Sequence, residues 1–353
     1  MTDATEQFAA RIVSASREAP LRLRGSGSKD FYGNTPVGEI LDTRVHAGIV
    51  AYEPTELVIT ARAGTPLDEV EAALAAQDQL LPFEPPAFGG SATIGGVVAA
   101  GLSGPRRAAV GAVRDFVLGV KLMDGEARVL NFGGQVMKNV AGYDVSRLIT
   151  GSLGTLGLIL EVSLKVLPRP VAEATLRFEM PEQKALDAMN AWAGKPLPIA
   201  ANCWHDDVLT VRLSGAGAAV ASARETLGGT VLATDDAAAF WRDLRDQRLD
   251  FFAGDEALWR MSLPSVAGPL ALSGPPLIEW GGAQRWLRGG RDAARLREAA
   301  TTAGGHATLF RGGDRAGGTF QPLPATMMEI HRRLKFAFDP RGVFNRGRLY
   351  PDF

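Results

Sequence analysis

The sequence predicts an α+β protein of two domains. Its 353 residues are enough for two separate cores. FVLGVKLM and ARVLNF flank Asp124-Gly125, a strong hairpin signal. Beyond Pro168 and Pro170 the order becomes strand, helix, strands, helix, strand, which suggests an antiparallel sheet covered on one side by helices. A hydrophobic fraction of 46% with 22% charged residues excludes disorder as the governing state.

In chain order, MTDATEQFAARIVSASREAP alternates as a helix, and LRLR (Leu21 to Arg24) is a strand running straight into the glycine–serine turn GSGSKDFYG. LVITARAG is a second strand. Thr65-Pro66-Leu67-Asp68 then reads as an N-cap, a first-turn proline and an acid, opening a helix that buries Leu67, Val70 and Leu74. Glycine clusters alternate with a short helix through GGQVMKNVAGYDVSRLITGSLGTLG before LILEVSLKVLP returns to strand. The prolines after it set a boundary near residue 170. The domains expected are 1–170, 171–325 and a segment 326–353 returning to the first.

With 38 basic and 39 acidic side chains the net charge is −1, which argues against nucleic acid or an anionic membrane as main partner. One cysteine, Cys203, makes neither an internal disulfide nor an iron–sulfur centre. His46, His205, His306 and His331 lack a metal-binding spacing. No secretory signal opens the chain, so a cytoplasmic location is expected. The uncharged run Pro85–Pro105 is broken by six glycines and three prolines and is not read as a membrane span.

Glycine-rich turns after strands present backbone N–H groups to anions, and phosphate is their natural guest. Neither standard nucleotide motif fits: no G-x-x-x-x-G-K-[ST] occurs, and Gly25-Ser26-Gly27 lacks the third glycine of the dinucleotide fingerprint. Taken alone, each cluster reads better as a structural turn. Two phosphate-capable segments in one domain, Arg24 to Ser28 and Gly89 to Gly104, match what a diphosphate needs, with Arg24 adding a charge-assisted contact and Ser26, Ser28, Ser91 and Thr93 adding hydroxyls.

RGSGSK, PPAFGGSATIGGVVAAGLSG, VGAVRDFVLGVKLMDGEARVL, KNVAGYDVSRLITGSLGTLGLILEVSLKVLP and the tail FDPRGVFNRGRL resemble, in order, the signatures of the vanillyl-alcohol oxidase type of flavoprotein, which carries a PCMH-type FAD-binding domain. The resemblance covers residues 21 to 170 and 334 to 350. It implies a PCMH-type domain of two α+β subdomains with a smaller ferredoxin-like α+β cap, and FAD as cofactor. Diphosphate contacts are implied for Gly25, Ser26, Gly27 and Ser28 and for Ser91, Ala92, Thr93, Gly95 and Gly96, with close approach at Gly101 and Gly104. Asp115 would begin the strand passing the adenosine, Ile159 would meet adenine, and Asn345 would lie near the isoalloxazine ring. Apart from the resemblance, Lys138 between glycine clusters reads either as a cation facing the flavin, where it would favour negative charge on the reduced ring, or as a solvated surface lysine. With no histidine among residues 24 to 33, the binding implied is noncovalent. The family's usual G-S-E-G reads Gly151-Ser152-Leu153-Gly154 here, so one carboxylate is missing.

Within that group the chain is similar to the FAD-binding subunits of bacterial glycolate-oxidising complexes. The partners implied are a second flavin-type subunit, an iron–sulfur subunit and a small 2-hydroxy acid, with association at the inner face of the cytoplasmic membrane through the complex. No catalytic base is evident. A non-catalytic assembly or electron-relay subunit and a self-sufficient flavin oxidase stand as the other readings. Arg285 and Trp286 offer a carboxylate-binding wall or a surface stacking pair, and Trp241, Phe240, Phe251, Phe252 and Trp259 read as core or subunit contacts.

Overall fold

The computed structural model describes residues 4–134, 144–290 and 292–351, so Lys138, Asn139 and Tyr143 lie outside the described residues. The chain divides into two units: Met1–Leu102 with Ala112–Pro168 and Gly318–Phe353, and Ser103–Gly111 with Arg169–Gly317.

In the first unit, helix α1 (Ala4–Ser14) buries Phe8 and Ile12, four residues apart on one face. They join Leu21 of β1 (Leu21–Arg24) and Leu41 of β2 (Glu39–Asp42), a parallel pair, in a core that Val343 and Phe344 of the tail complete. Burial of each phenylalanine is worth about 1.5–3 kcal/mol, so the tail is part of this unit's stability and not an appendage. β3 (Ile49–Glu53) and β4 (Val58–Arg62) pair antiparallel. Helix α2 (Leu67–Ala75) buries Leu67, Val70 and Leu74, as its spacing predicts. Thr65, however, is not its cap. Pro66 holds the N-cap position, while the Thr65 hydroxyl accepts from the Gly48 N–H at 2.9 Å and donates to the Arg62 carbonyl at 2.7 Å.

After β5 (Gln79–Leu80), α3 (Ile94–Ala100) and α4 (Arg107–Val110), the helix α5 (Val113–Phe116) leads into β6 (Val117–Met123). Asp115 therefore does not begin the strand: it sits in α5, where its carboxylate accepts from the Ala112 N–H at 2.8 Å. β6 and β7 (Val129–Gly133) pair with Met123 opposite Val129, so the connection is a five-residue loop and not a two-residue turn at Asp124-Gly125. The cause is Asp124, whose fully buried carboxylate accepts from the N–H groups of Glu126 and Arg128, each at 2.9 Å. Helix α6 (Val145–Ile149), β8 (Leu158–Lys165) and β9 (Leu167–Pro168) follow. The sheet runs β3-β4-β8-β6-β7, all antiparallel, and β8 at its centre exposes little beyond Glu161 and Lys165.

The second unit is built on β10 (Ala172–Glu179), α7 (Glu182–Ala193), β11 (Ile199–His205), β12 (Val208–Gly215), α8 (Gly217–Leu227), β13 (Thr230–Val231), α9 (Thr234–Arg245), β14 (Leu258–Ser262), β15 (Leu277–Glu279), β16 (Gln284–Arg288), α10 (Ala293–Thr302) and β17 (His306–Arg311). The strands form one antiparallel sheet of eight in the order β13-β10-β12-β11-β15-β16-β14-β17. Two half-sheets meet where Cys203 and Trp204 of β11 pair with β15. Each half has its own core: Leu186, Met189 and Val211 belong to one, Trp259, Leu296 and Leu309 to the other.

Ser103–Gly111, which includes α4, clusters with this second unit. Buried Arg106 donates to Glu173 and to the Ser214 hydroxyl, and the Trp280 indole N–H donates to the Gly104 carbonyl at 3.1 Å. The chain returns to the first unit with α11 (Ala325–Phe338). Among the described residues no helix is long and apolar enough to cross a membrane.

Candidate functional site

β1 ends at Arg24, and the chain turns through Gly25–Ser28 along the floor of a cleft of about 620 Å³. Gly27 has φ +83°, which favours glycine, and a Cβ there would displace the Arg24 guanidinium. The N–H groups of Ser26 and Gly27 have no acceptor among the described residues, and that of Ser28 has only the Ser26 hydroxyl at 3.4 Å. Successive donors without partners are what a bound anion satisfies.

Charge points the same way. Arg22, Arg24, Lys29 and Arg348 line the cleft against one carboxylate, Asp30. Asp30 braces the loop by accepting from the Arg22 guanidinium and from Arg24 Nε at 2.9 Å. Buried Arg348 ties the loop to the tail, donating to the carbonyls of Lys29, Asp30 and Asn34.

The second glycine segment meets the first at one point, where a Cβ on Gly25 would run into Thr93 Oγ1. Its role differs from the one expected. The Gly95 N–H donates to the Ala63 carbonyl at 2.8 Å and the Gly96 N–H to Thr93 Oγ1 at 3.3 Å, so neither amide is left for a ligand. These glycines instead permit close packing: a Cβ on Gly95 would stand 2.6 Å from that of Ala63. Gly95, Gly96 and Thr93 still line the groove, whereas exposed Ser91 and buried Ala92 do not appear in its lining. A Cβ on Gly101 would stand 3.0 Å from the Gly151 Cα, and Gly104 stands in the second unit.

Residues 151–157 close the groove from another side. Leu153 has φ +52°, its N–H donates to the Ala99 carbonyl at 2.8 Å, and its carbonyl accepts from Asn345 Nδ2 at 2.6 Å. Asn345 Oδ1 accepts from the Leu23 N–H at 2.7 Å, so this one amide stitches β1 to the loop. Beneath it, buried Lys335 donates to the carbonyls of Thr155 and Phe344 and to Asp339 at 2.6 Å. Burial pulls its pKa below the usual lysine value, and the Asp339 carboxylate opposes that shift. A second lobe of about 400 Å³, lined by Thr43, Ala63, Gly157 and Ile159, shares Arg24, Gly25, Gly96, Leu153 and Asn345 with the first. The two lobes are one groove.

Arg22, Lys29, Arg348 and Lys335 were not foreseen. LRLR carried a usable signal, since a period of two puts Arg22 and Arg24 on one face of the strand at the mouth of the turn. Arg348 and Lys335 had none, because their partners are backbone carbonyls remote in sequence.

In the second unit Arg285 is not a ligand wall. It is 1% exposed and donates to the carbonyls of Gly282, Gly268 and Ala267, so its guanidinium holds a loop. The Trp286 indole N–H donates to buried Glu279 at 2.7 Å. Cys203 is buried, and burial together with Glu279 pushes its thiol pKa well up. His205 Nδ1 lies 3.1 Å from the Pro276 carbonyl with its ring against Phe251. Among the described residues no cluster of three or more His, Cys, Asp or Glu could hold a metal ion.

A groove with unclaimed amides, hydroxyls and excess cations at one end and an apolar lobe at the other suits a dinucleotide-like cofactor. A family described as an FAD-binding domain matches residues 3–133, which contain both glycine segments, and FAD is the cofactor of this flavoprotein class. The glycolate oxidase subunit GlcE of Escherichia coli is 51% identical over 337 residues, 96% of this chain and 94% of that protein. The chain belongs to the GlcE family of glycolate oxidase subunits, and its α+β fold is that of PCMH-type FAD-binding proteins. The glycolate oxidase subunit GlcD of Bacillus subtilis is 30% identical over 166 residues, 46% of this chain and 35% of that protein. Alkyldihydroxyacetonephosphate synthase superposes with a TM-score of 0.68 over 97% of this chain and 75% of its own length at 15% identity, a likeness of fold.

Proposed function

We propose that the chain is the FAD-holding subunit of a complex that oxidises glycolate to glyoxylate. The reading rests on full-length similarity to a glycolate oxidase subunit, and the observation that carries it is the pair of unclaimed amides at Ser26 and Gly27 inside a cationic groove. In this reading Ser26, Gly27 and Ser28 hold the diphosphate, with Arg24 and Thr93 beside them. Gly25, Gly95 and Gly96 keep the floor low enough for it. Thr43, Gly157 and Ile159 line the adenosine end, and Asn345 fixes the spacing between β1 and residues 151–157. Bound FAD supplies an acceptor for the hydride leaving the α-carbon of a 2-hydroxy acid. The chain's own residues bind and orient: preformed cations offset the diphosphate charge, and buried Leu153 with half-buried Ala99 limits water at the groove wall.

Cys203 is the single cysteine and is buried, too few thiolates for an iron–sulfur centre on this chain, so in this reading such a centre belongs to a neighbouring iron–sulfur subunit. Association with a membrane face would come through that complex. The test is co-expression with the candidate partners, followed by flavin analysis and glycolate-dependent dye reduction. Gly27→Glu, which fills the diphosphate site, is expected to remove the flavin of this subunit while the complex still assembles. A wild-type flavin content in Gly27→Glu would refute the groove assignment. Dye reduction by the isolated chain would instead favour a self-sufficient oxidase.

A further inference from the structure

The second unit holds an open cavity of about 950 Å³, counting the solvent at its mouth, that the FAD groove does not involve. It opens where β11 loses its neighbour. β11 pairs with β15 at Cys203 and Trp204, and the register of its first half against β12 is broken between Ile199 and Ala201. Helix α4 lies against that half-strand, but the side chains brought there are small: Ala108, Ala109, Ala193, Ala200 and Ala201. Alanines together with Trp192 and Trp280 therefore line a depression that is open to solvent and has apolar walls.

The wall is held rigid at a cost. Trp280 has φ +56°, a left-handed conformation that is strained for a non-glycine residue and clusters at ligand sites. Three contacts impose it: the indole N–H on the Gly104 carbonyl, the Arg107 guanidinium 4.5 Å from the ring centroid, and the Gly281 N–H on Asn202 Oδ1 at 2.8 Å. The same wall leaves polar groups unclaimed among the described residues: the Asn202 Nδ2 amide, the Ser265 hydroxyl and the Lys195 ammonium as donors, with Asn190 Oδ1 as an amide acceptor and no carboxylate in the lining. Apolar faces with donors and one cation select an apolar body that ends in an anion.

We infer that this cavity is a binding site for a small amphipathic carboxylic acid, with an aryl or medium-length alkyl body between Trp192 and Trp280 and its carboxylate at Lys195, Asn202 and Ser265. Glycolate, with no apolar body, is not its ligand, and the inference stands whether or not the flavin reading does. The test is calorimetric titration of the complex with 4-phenylbutyrate, with 4-phenylbutylamine as the cationic counterpart and glycolate as the polar one. One site per chain is expected for the acid, with binding at least tenfold weaker for the amine and none for glycolate. Ala109→Trp, an exposed position that can fill the cavity without touching the core, should abolish binding, and Lys195→Glu should weaken it at least tenfold. Equal binding of acid and amine, or acid binding unchanged in Ala109→Trp, would overturn the inference. So would binding by the isolated chain that is lost in the complex, since a partner's side chain would then be the occupant.

Discussion

The groove of the first unit and the polar centres of the second unit are built from opposite materials. In the groove, the donors left without partners are the backbone amides of Ser26 and Gly27, in a turn where a Cβ on Gly25 would meet Thr93 and Gly27 holds a positive φ. In the second unit, Arg285, Arg106 and Glu279 are side chains taken out of water and matched to carbonyls, carboxylates or indoles within the unit. The first arrangement leaves donors for a guest, while the second uses its donors internally. A charged residue in a motif is therefore weak evidence for a site until its partners are known, whereas an amide without a partner is strong evidence.

Lys335 gives the largest test of that contrast, because it is a side-chain centre placed inside the groove's own scaffold. Lys335→Met leaves Asp339 buried without its cation and should cost about 3–5 kcal/mol, measured by denaturant unfolding. Flavin retention should fall with it, since the Thr155 and Phe344 carbonyls lose their shared donor. Arg285→Met should cost less, about 1.5–3 kcal/mol, and leave the flavin content of the complex unchanged, because its three carbonyls belong to the second unit alone. Loss of flavin there would break the distinction between the two regions. Asn345→Leu removes the partner of the Leu23 N–H and should cost about 1–3 kcal/mol, with weaker flavin retention as its first sign. The smallest effect concerns Cys203. Its pKa is raised, so the thiol stays protonated as pH climbs past the ordinary cysteine value, and alkylation by iodoacetamide should be slow at pH 9 until denaturant is added.

This division also explains what could be read from the amino acids alone. The strand–turn at Leu21 to Ser28 was legible because a period-two strand meeting glycine and serine has few other conformations. The hairpin at Asp124 was legible as a hairpin, but not its length, which depends on a buried carboxylate bonding two N–H groups of its own loop. Gly95 and Gly96 were visible as glycines, yet their engagement by Ala63 and Thr93 was not, since those partners arrive from tertiary packing. Arg285 beside Trp286 looked like a ligand wall because a chain written in one dimension cannot show three carbonyls converging on one guanidinium. The second unit's eight-stranded sheet was foreseen only as a smaller one, since just two residues of β11 join its halves.

The most direct measurement is equilibrium dialysis of the flavin-free complex against FAD and against riboflavin, which lacks the diphosphate. If the Ser26 and Gly27 amides hold that group, the wild type binds FAD at least a hundredfold more tightly than riboflavin, a preference worth about 2.7 kcal/mol, and Gly27→Glu abolishes the difference. Equal affinity of the wild type for the two, or a preference that survives Gly27→Glu, would contradict the account.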